Sequence, residues 1–243
     1  MSNELNIELF GEDNIDFLAE TMCLDLEEIQ SHIDKVSSKH RDYFRDIFDF
    51  MVSEYNYFNC KYSNTILIYQ MFISDKLNSK FLKINIKHKI QENSESYNIG
   101  DVLRHFFLHF CEGGVRQAYK YRETDYWYPK IIFRERIESD IDDLDKELVV
   151  YRGTSKEEYK ARVYGQSWTL DKTVAYKFAF SHYSHSLEYI ETERVILKAI
   201  ISRENILLYE KYDQHKEQEV IVRTCELKNV VLLEEKILES SLA

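Results

Sequence analysis

Chain-breaking residues are scarce: one proline and six glycines stand among 243 residues. That scarcity predicts long regular elements and few elaborate loops. The four cysteines, Cys23, Cys60, Cys111 and Cys225, are widely spaced and form no Cys-x-x-Cys pair. They are expected to be free, mostly buried thiols in a reducing cytosol. No Lys/Arg-rich tract is present, and the formal net charge is -11. An acidic excess argues against a general affinity for nucleic acid or anionic membrane, though a local basic cleft stays open. No apolar run approaches the roughly 20 residues that a membrane span needs. The first residues, Met1 to Leu5, have neither a basic n-region nor an apolar h-region, so no signal peptide and a cytoplasmic location are expected. There is no Gly-x-Gly-x-x-Gly, no P-loop and no Gly-x-Ser-x-Gly, so the usual dinucleotide, nucleotide and hydrolase signatures are missing.

What the chain does have is 44% hydrophobic and 14% aromatic residues, enough to fill a core of one large domain or two small ones. The first part has helical spacing. A helix is expected from about Ile15, capped by Asn14 or Asp13, and another through Tyr43, Phe44, Ile47, Phe48, Met51 and Val52. Residues 66–72 fit helix or strand. Residues 81–90 alternate (Leu82, Ile84, Ile86 against Lys83, Asn85, Lys87) and predict a strand. Val102 to Tyr121 predicts a helix with a possible break at Gly113-Gly114. The acidic stretch Glu138 to Glu147 marks a boundary, which divides the chain into a mainly helical region, 1–137, and a second region, 138–243. In the second region Leu148 to Tyr151 predicts a strand. Asp171 predicts an N-cap for a short helix whose Ala175, Phe178 and Ala179 form a buried stripe. Short β-rich runs follow at 195–201, 205–208, 219–222 and 230–233.

Several residues are suited to chemistry. Glu217 and Glu219 bracket Gln218 at the head of the apolar run Val220-Ile221-Val222. Strand alternation would project the two carboxylates side by side, with Val220 and Val222 anchored in a core. With 43 acidic residues in the chain, that spacing alone also fits a solvated strand end. Arg152 follows a predicted strand and precedes Gly153. A guanidinium fork beside a glycine suits a phosphate or ribose. In Ser167-Trp168-Thr169 the two hydroxyls share a face and Trp168 points inward. Tyr176 and Phe178 offer rings that could stack on a flat heterocycle, although Phe178 equally suits the core. His105 and His109 have a zinc-compatible spacing but no adjacent Glu base and no nearby third ligand, so they read as structural histidines. His182 and His185 lie in a Ser/His/Tyr-rich stretch with no nucleophile signature.

Taken in order, Tyr151-Arg152-Gly153, Ser167-Trp168-Thr169-Leu170-Asp171 with Ala175 and Phe178-Ala179, and Glu217-Gln218-Glu219-Val220-Ile221 resemble the Arg-Ser-Glu class of mono-ADP-ribosyltransferases. The resemblance covers about residues 148–233. It implies an α+β chain: an N-terminal helical region, either separate or packed as part of the catalytic domain, followed by two small packed β-sheets with flanking helices. NAD is the implied substrate, with no metal. Arg152 would grip its phosphate and ribose region, Gly153 would meet the nicotinamide carboxamide, and Tyr176 or Phe178 would lie against the cofactor. Ser167 would hold Glu219, with Thr169 in support. Glu219 would be the catalytic glutamate, stabilising the oxocarbenium-like ribose that forms as nicotinamide leaves. Glu217 would activate the acceptor, and Tyr209 to Lys216 would recognise it through Tyr209 or Tyr212. The implied acceptor is a macromolecule, a protein arginine or an amine on an RNA or DNA base. An intracellular toxin or phage-defence effector with a neutralising partner protein fits that picture, as does a phage enzyme acting on its host. NAD glycohydrolysis and a catalytically inactive binding module are the alternatives. Trp168 and Leu170 depart from the small polar residues many members carry there.

Overall fold

A computed structural model describes residues 5–61, 67–122, 127–181, 193–211 and 217–237. The chain divides into two compact units, residues 1–132 and 133–243. Among the described residues, no helix is long and apolar enough to cross a membrane.

The first unit is helical: α1 (Ile7–Phe10), α2 (Leu26–Ser37), α3 (Arg41–Lys61), α4 (Leu67–Lys87) and α5 (Glu95–Lys120). The expected helix from Ile15 is instead a broken entry. A 3-10 turn spans Glu12–Asn14, a π-turn spans Phe17–Thr21, and α2 starts only after Asp25, whose side chain accepts from the Glu28 N–H at 3.1 Å. Asn14 does not cap. It is buried, and its amide donates to the Phe10 carbonyl (2.8 Å) and to Asp49 (2.6 Å). On α3, Tyr43, Phe44, Ile47, Phe48 and Met51 form the expected buried stripe. On α5, Ile99, Leu103, Phe106, Phe107 and Phe110 do the same, and the anticipated break is real: Gly114 takes φ 70, ψ -162, a conformation open essentially to glycine.

Residues 81–87 belong to α4, not to a strand. Their alternation is incidental, because the buried positions are Leu77, Phe81 and Asn85, while Leu82 and Ile86 are exposed. Spacing of four fixes a helix face, and Asn85 is satisfied inside by the Tyr43 hydroxyl at 2.8 Å.

The second unit is a mixed unit built on one six-stranded antiparallel sheet. Its strands are β1 (Glu147–Ser155), β2 (Ser167–Thr169), β3 (Glu193–Ser202), β4 (Ile206–Tyr209), β5 (Glu219–Val222) and β6 (Lys228–Ile237), in the order β4-β5-β2-β1-β3-β6. The two separate sheets of the expectation are joined, though barely. β1 pairs with β3 along its nine residues but with β2 through the single register pair Tyr151↔Thr169. Two three-stranded halves, β4-β5-β2 and β1-β3-β6, therefore meet at one rung.

Strand alternation gives the sheet two faces. Leu148, Val150, Trp168, Leu197, Val220 and Val222 form a core on one. On the other lies α7 (Lys172–Phe180), whose Ala175, Ala179 and Phe180 pack with Ile196 and Tyr151. Phe180, rather than Phe178, completes the buried stripe. The buried Arg194 donates to the Ala179 (3.3 Å) and Phe178 (3.4 Å) carbonyls at the end of α7, groups no helical N–H can reach. Three of the cysteines are less buried than expected: Cys23 and Cys111 are half-buried, and Cys225 is exposed.

Candidate active site

The site grows from β2 and its two neighbours. Thr169 pairs with Tyr151 of β1 and with Glu219 of β5, while Trp168 pairs with Val220 and Ser167 with Ile221. Paired residues share a face. Tyr151, Ser167, Thr169 and Glu219 therefore lie on the α7 side of the sheet, and Trp168 and Val220 are buried on the other. On the α7 side the Ser167 hydroxyl donates to the Glu219 carboxylate. Both residues are half-buried, so the carboxylate is fixed yet reachable.

Thr169 braces this pair. Its hydroxyl donates to the Glu217 carbonyl (2.6 Å) and accepts from the Asp171 N–H (3.0 Å), and the Leu170 N–H donates to the Gln218 carbonyl (3.1 Å). The loop entering β5 is thereby tied to the start of α7, where Asp171 caps through the Thr173 N–H at 2.7 Å. Glu217 and Glu219 are not two positions of one strand. Gln218 takes a left-handed conformation, φ 47, and β5 begins at Glu219, so the alternation that would align the two side chains starts only there.

Gly153 lies on β1 beneath α7. A Cβ on it would sit 2.2 Å from the Ala175 carbonyl oxygen and 2.5 Å from the Ala179 nitrogen. Backbone cannot yield to such contacts, so the glycine is what lets α7 lie directly on the sheet.

Arg152, by the same alternation, points to the opposite face, that of Val150 and Trp168. Its guanidinium is gripped by Glu158 of α6 (Lys156–Ala161), with Nε 2.7 Å from Oε1 and Nη2 3.1 Å from Oε2, while Nη1 donates to the Ser167 carbonyl at 2.6 Å. Burial pushes the Glu158 carboxyl up, but the Arg152 guanidinium, the Thr154 hydroxyl and the Gly165 N–H outweigh it and hold the group below the usual carboxylate range.

Glu158 is the residue that the sequence pattern did not reveal. Ser155-Lys156-Glu157-Glu158 has the form of a capping box, and the Ser155 hydroxyl does accept from the Glu158 N–H at 3.2 Å. The Glu158 side chain, however, turns to Arg152 instead of back to the cap.

Tyr209 is the last residue of β4 and packs partly buried against the sheet core, so it is not the exposed aromatic of a loop. Tyr212, like His182 and His185, lies outside the described residues. Tyr176 is exposed on α7 with its ring 5.0 Å from Phe180, and Phe178 is half-buried. His109 bonds Glu112 at 2.9 Å and stacks on Tyr121, and His105 meets it edge-on at 4.5 Å. Among the described residues, no group of three or more His, Cys, Asp or Glu side chains could hold a metal ion. Burial pushes the Cys111 thiol up to about 12, which leaves it a poor nucleophile.

No protein-family model matches the chain, and no curated protein or solved structure is found to be similar to it. The functional reading therefore rests on the motif order and on this geometry.

Proposed function

We propose that the chain is an NAD-dependent mono-ADP-ribosyltransferase acting on a macromolecular acceptor. The observation that carries this reading is the Ser167 hydroxyl on the Glu219 carboxylate, one strand away from Arg152-Gly153. A carboxylate held by a neighbouring hydroxyl is preorganised to meet positive charge as it develops.

When the bond between nicotinamide and ribose C1′ breaks, nicotinamide leaves with the electron pair and the ribose becomes cationic. Glu219 stabilises that charge. A nucleophile of the acceptor then bonds C1′ and gives up a proton to a base, the role proposed for Glu217 in the loop that enters β5. Ser167 and Thr169 keep Glu219 and its entry loop in place throughout.

The test is incubation of the purified chain with NAD labelled in its adenylate phosphate, together with a cell extract, followed by separate protease and nuclease digestion. Label released only by protease marks a protein acceptor, and label released only by nuclease marks a nucleic acid. Glu219→Gln should lower transfer by about 10²–10³-fold, the scale of other preorganised electrostatic groups. Free ADP-ribose as the sole product would replace transfer by hydrolysis. No NAD consumption under any condition would sink the proposal.

A further inference from the structure

Arg152 and Glu158 stand where the sheet is weakest. Beyond Tyr151↔Thr169, β1 and β2 share no further register pair, so the ladder does not fix the entry of β2 against β1. The Glu158 carboxylate gathers the pieces. It accepts from Arg152 Nε (2.7 Å) and Nη2 (3.1 Å) and from Thr154 Oγ1 (2.7 Å), all on β1, and from the Gly165 N–H (3.2 Å), two residues before β2. Arg152 then extends the link with Nη1 on the Ser167 carbonyl (2.6 Å). Gly165 makes room for this: a Cβ there would lie 2.4 Å from Arg152 Nη2.

All three guanidinium nitrogens are thus used inside the protein, and the group lies on the opposite sheet face from Ser167 Oγ and Glu219. Planar, bidentate pairing of this kind fixes direction as well as distance. Side chains of both partners are only 20% exposed, so water does little to loosen them.

We infer that Glu158 is a positioning residue of the active site. Through Arg152 it sets the backbone of Ser167, and through Ser167 it sets the Glu219 carboxylate. In this arrangement Arg152 is a strut between β1 and β2 and not a clamp on substrate phosphate. The inference rests on the transferase reading of Glu219 and adds a residue and a changed role for Arg152.

The test compares the wild-type chain with Glu158→Gln, Arg152→Gln and the double variant, each checked for folding by circular dichroism. In Glu158→Gln an amide N–H faces the guanidinium, so one arm of the fork is lost. Expected is a fall in kcat of about 10-fold or more, since small displacements of reacting groups cost that much, with KM for NAD within about two-fold. The double variant should be no slower than the worse single variant, because both changes cut one chain of contacts. A rise in KM with kcat unchanged would make Arg152 a substrate ligand and overturn the inference. So would multiplicative effects in the double variant, or no effect at all.

A readout independent of turnover exists. Trp168 Nε1 donates to the Gly165 carbonyl at 3.0 Å, one peptide unit from the N–H that Glu158 holds. The chain has two tryptophans, so in a Trp127→Phe background the emission reports Trp168 alone. Glu158→Gln should shift that emission, and an unshifted spectrum overturns the inference. A wild-type chain that consumes no NAD sinks the transferase reading, while the Trp168 signal still decides whether Glu158 holds the entry to β2.

Discussion

Ser167 and Glu219 are diagonal neighbours, not direct partners, on the β2–β5 ladder: Ser167 pairs with Ile221, and Glu219 with Thr169. A diagonal gap suits a short hydroxyl and a longer carboxylate, where a direct pair would crowd them. Removing the donor leaves Glu219 in place but untethered. Misplacing a reacting group by about 1 Å costs up to about 10²-fold in rate, whereas water can take over the bond to a half-buried carboxylate. Ser167→Ala should therefore lower kcat/KM for NAD by roughly 10- to 100-fold, with the unfolding midpoint almost unmoved. Steady-state kinetics beside urea unfolding checks both halves.

Thr169 predicts the reverse pattern. It is buried, and its hydroxyl serves both the Glu217 carbonyl and the Asp171 N–H. Thr169→Val keeps the shape and strands both backbone groups. A loss of about 1–3 kcal/mol in unfolding free energy is expected, by the cost of leaving buried polar groups unpaired. Thr169→Ser, which keeps the hydroxyl, should recover most of it.

Gly153→Ala should destabilise the second unit by about 1–3 kcal/mol or more, because its Cβ would meet backbone atoms of α7 at 2.2 and 2.5 Å. Hydrogen exchange on α7 amides should speed up first. Normal α7 protection in this variant would disprove the packing argument.

Acid should weaken the unit through Glu158. Its folded carboxyl lies below the ordinary value of 4.5, so in acid the unfolded chain takes up the proton first. Stability from this group is complete above that ordinary value and is lost as pH falls through the lower, folded one. Urea midpoints measured from about pH 6 down to about pH 3 should fall more steeply for the wild type than for Glu158→Gln. Parallel curves would mean that the ion pair adds nothing.

Local rules carried much of the site. Asp171 as an N-cap, Trp168 inward between two hydroxyls, Val220 and Val222 in the core, and the break at Gly113-Gly114 follow from period, capping and backbone freedom. Each depends on a few adjacent residues, so each is written in the sequence.

Other features were decided by partners distant along the chain. Residues 81–87 became helix because Leu77, Phe81 and Asn85 share a buried face, which a short alternating run cannot reveal. One left-handed residue, Gln218, separated Glu217 from the strand that holds Glu219. The six strands became one sheet on the strength of a single register pair. Arg152 found Glu158 because α6 returns that carboxylate to β1, and no spacing rule distinguishes this from a capping box. The sequence by itself determined the local features: the Asp171 cap, the inward Trp168 between two hydroxyls, and the carboxylate at the head of β5. Only the tertiary structure decided which residues meet, because pairing is set by register and packing between segments that the chain order leaves apart.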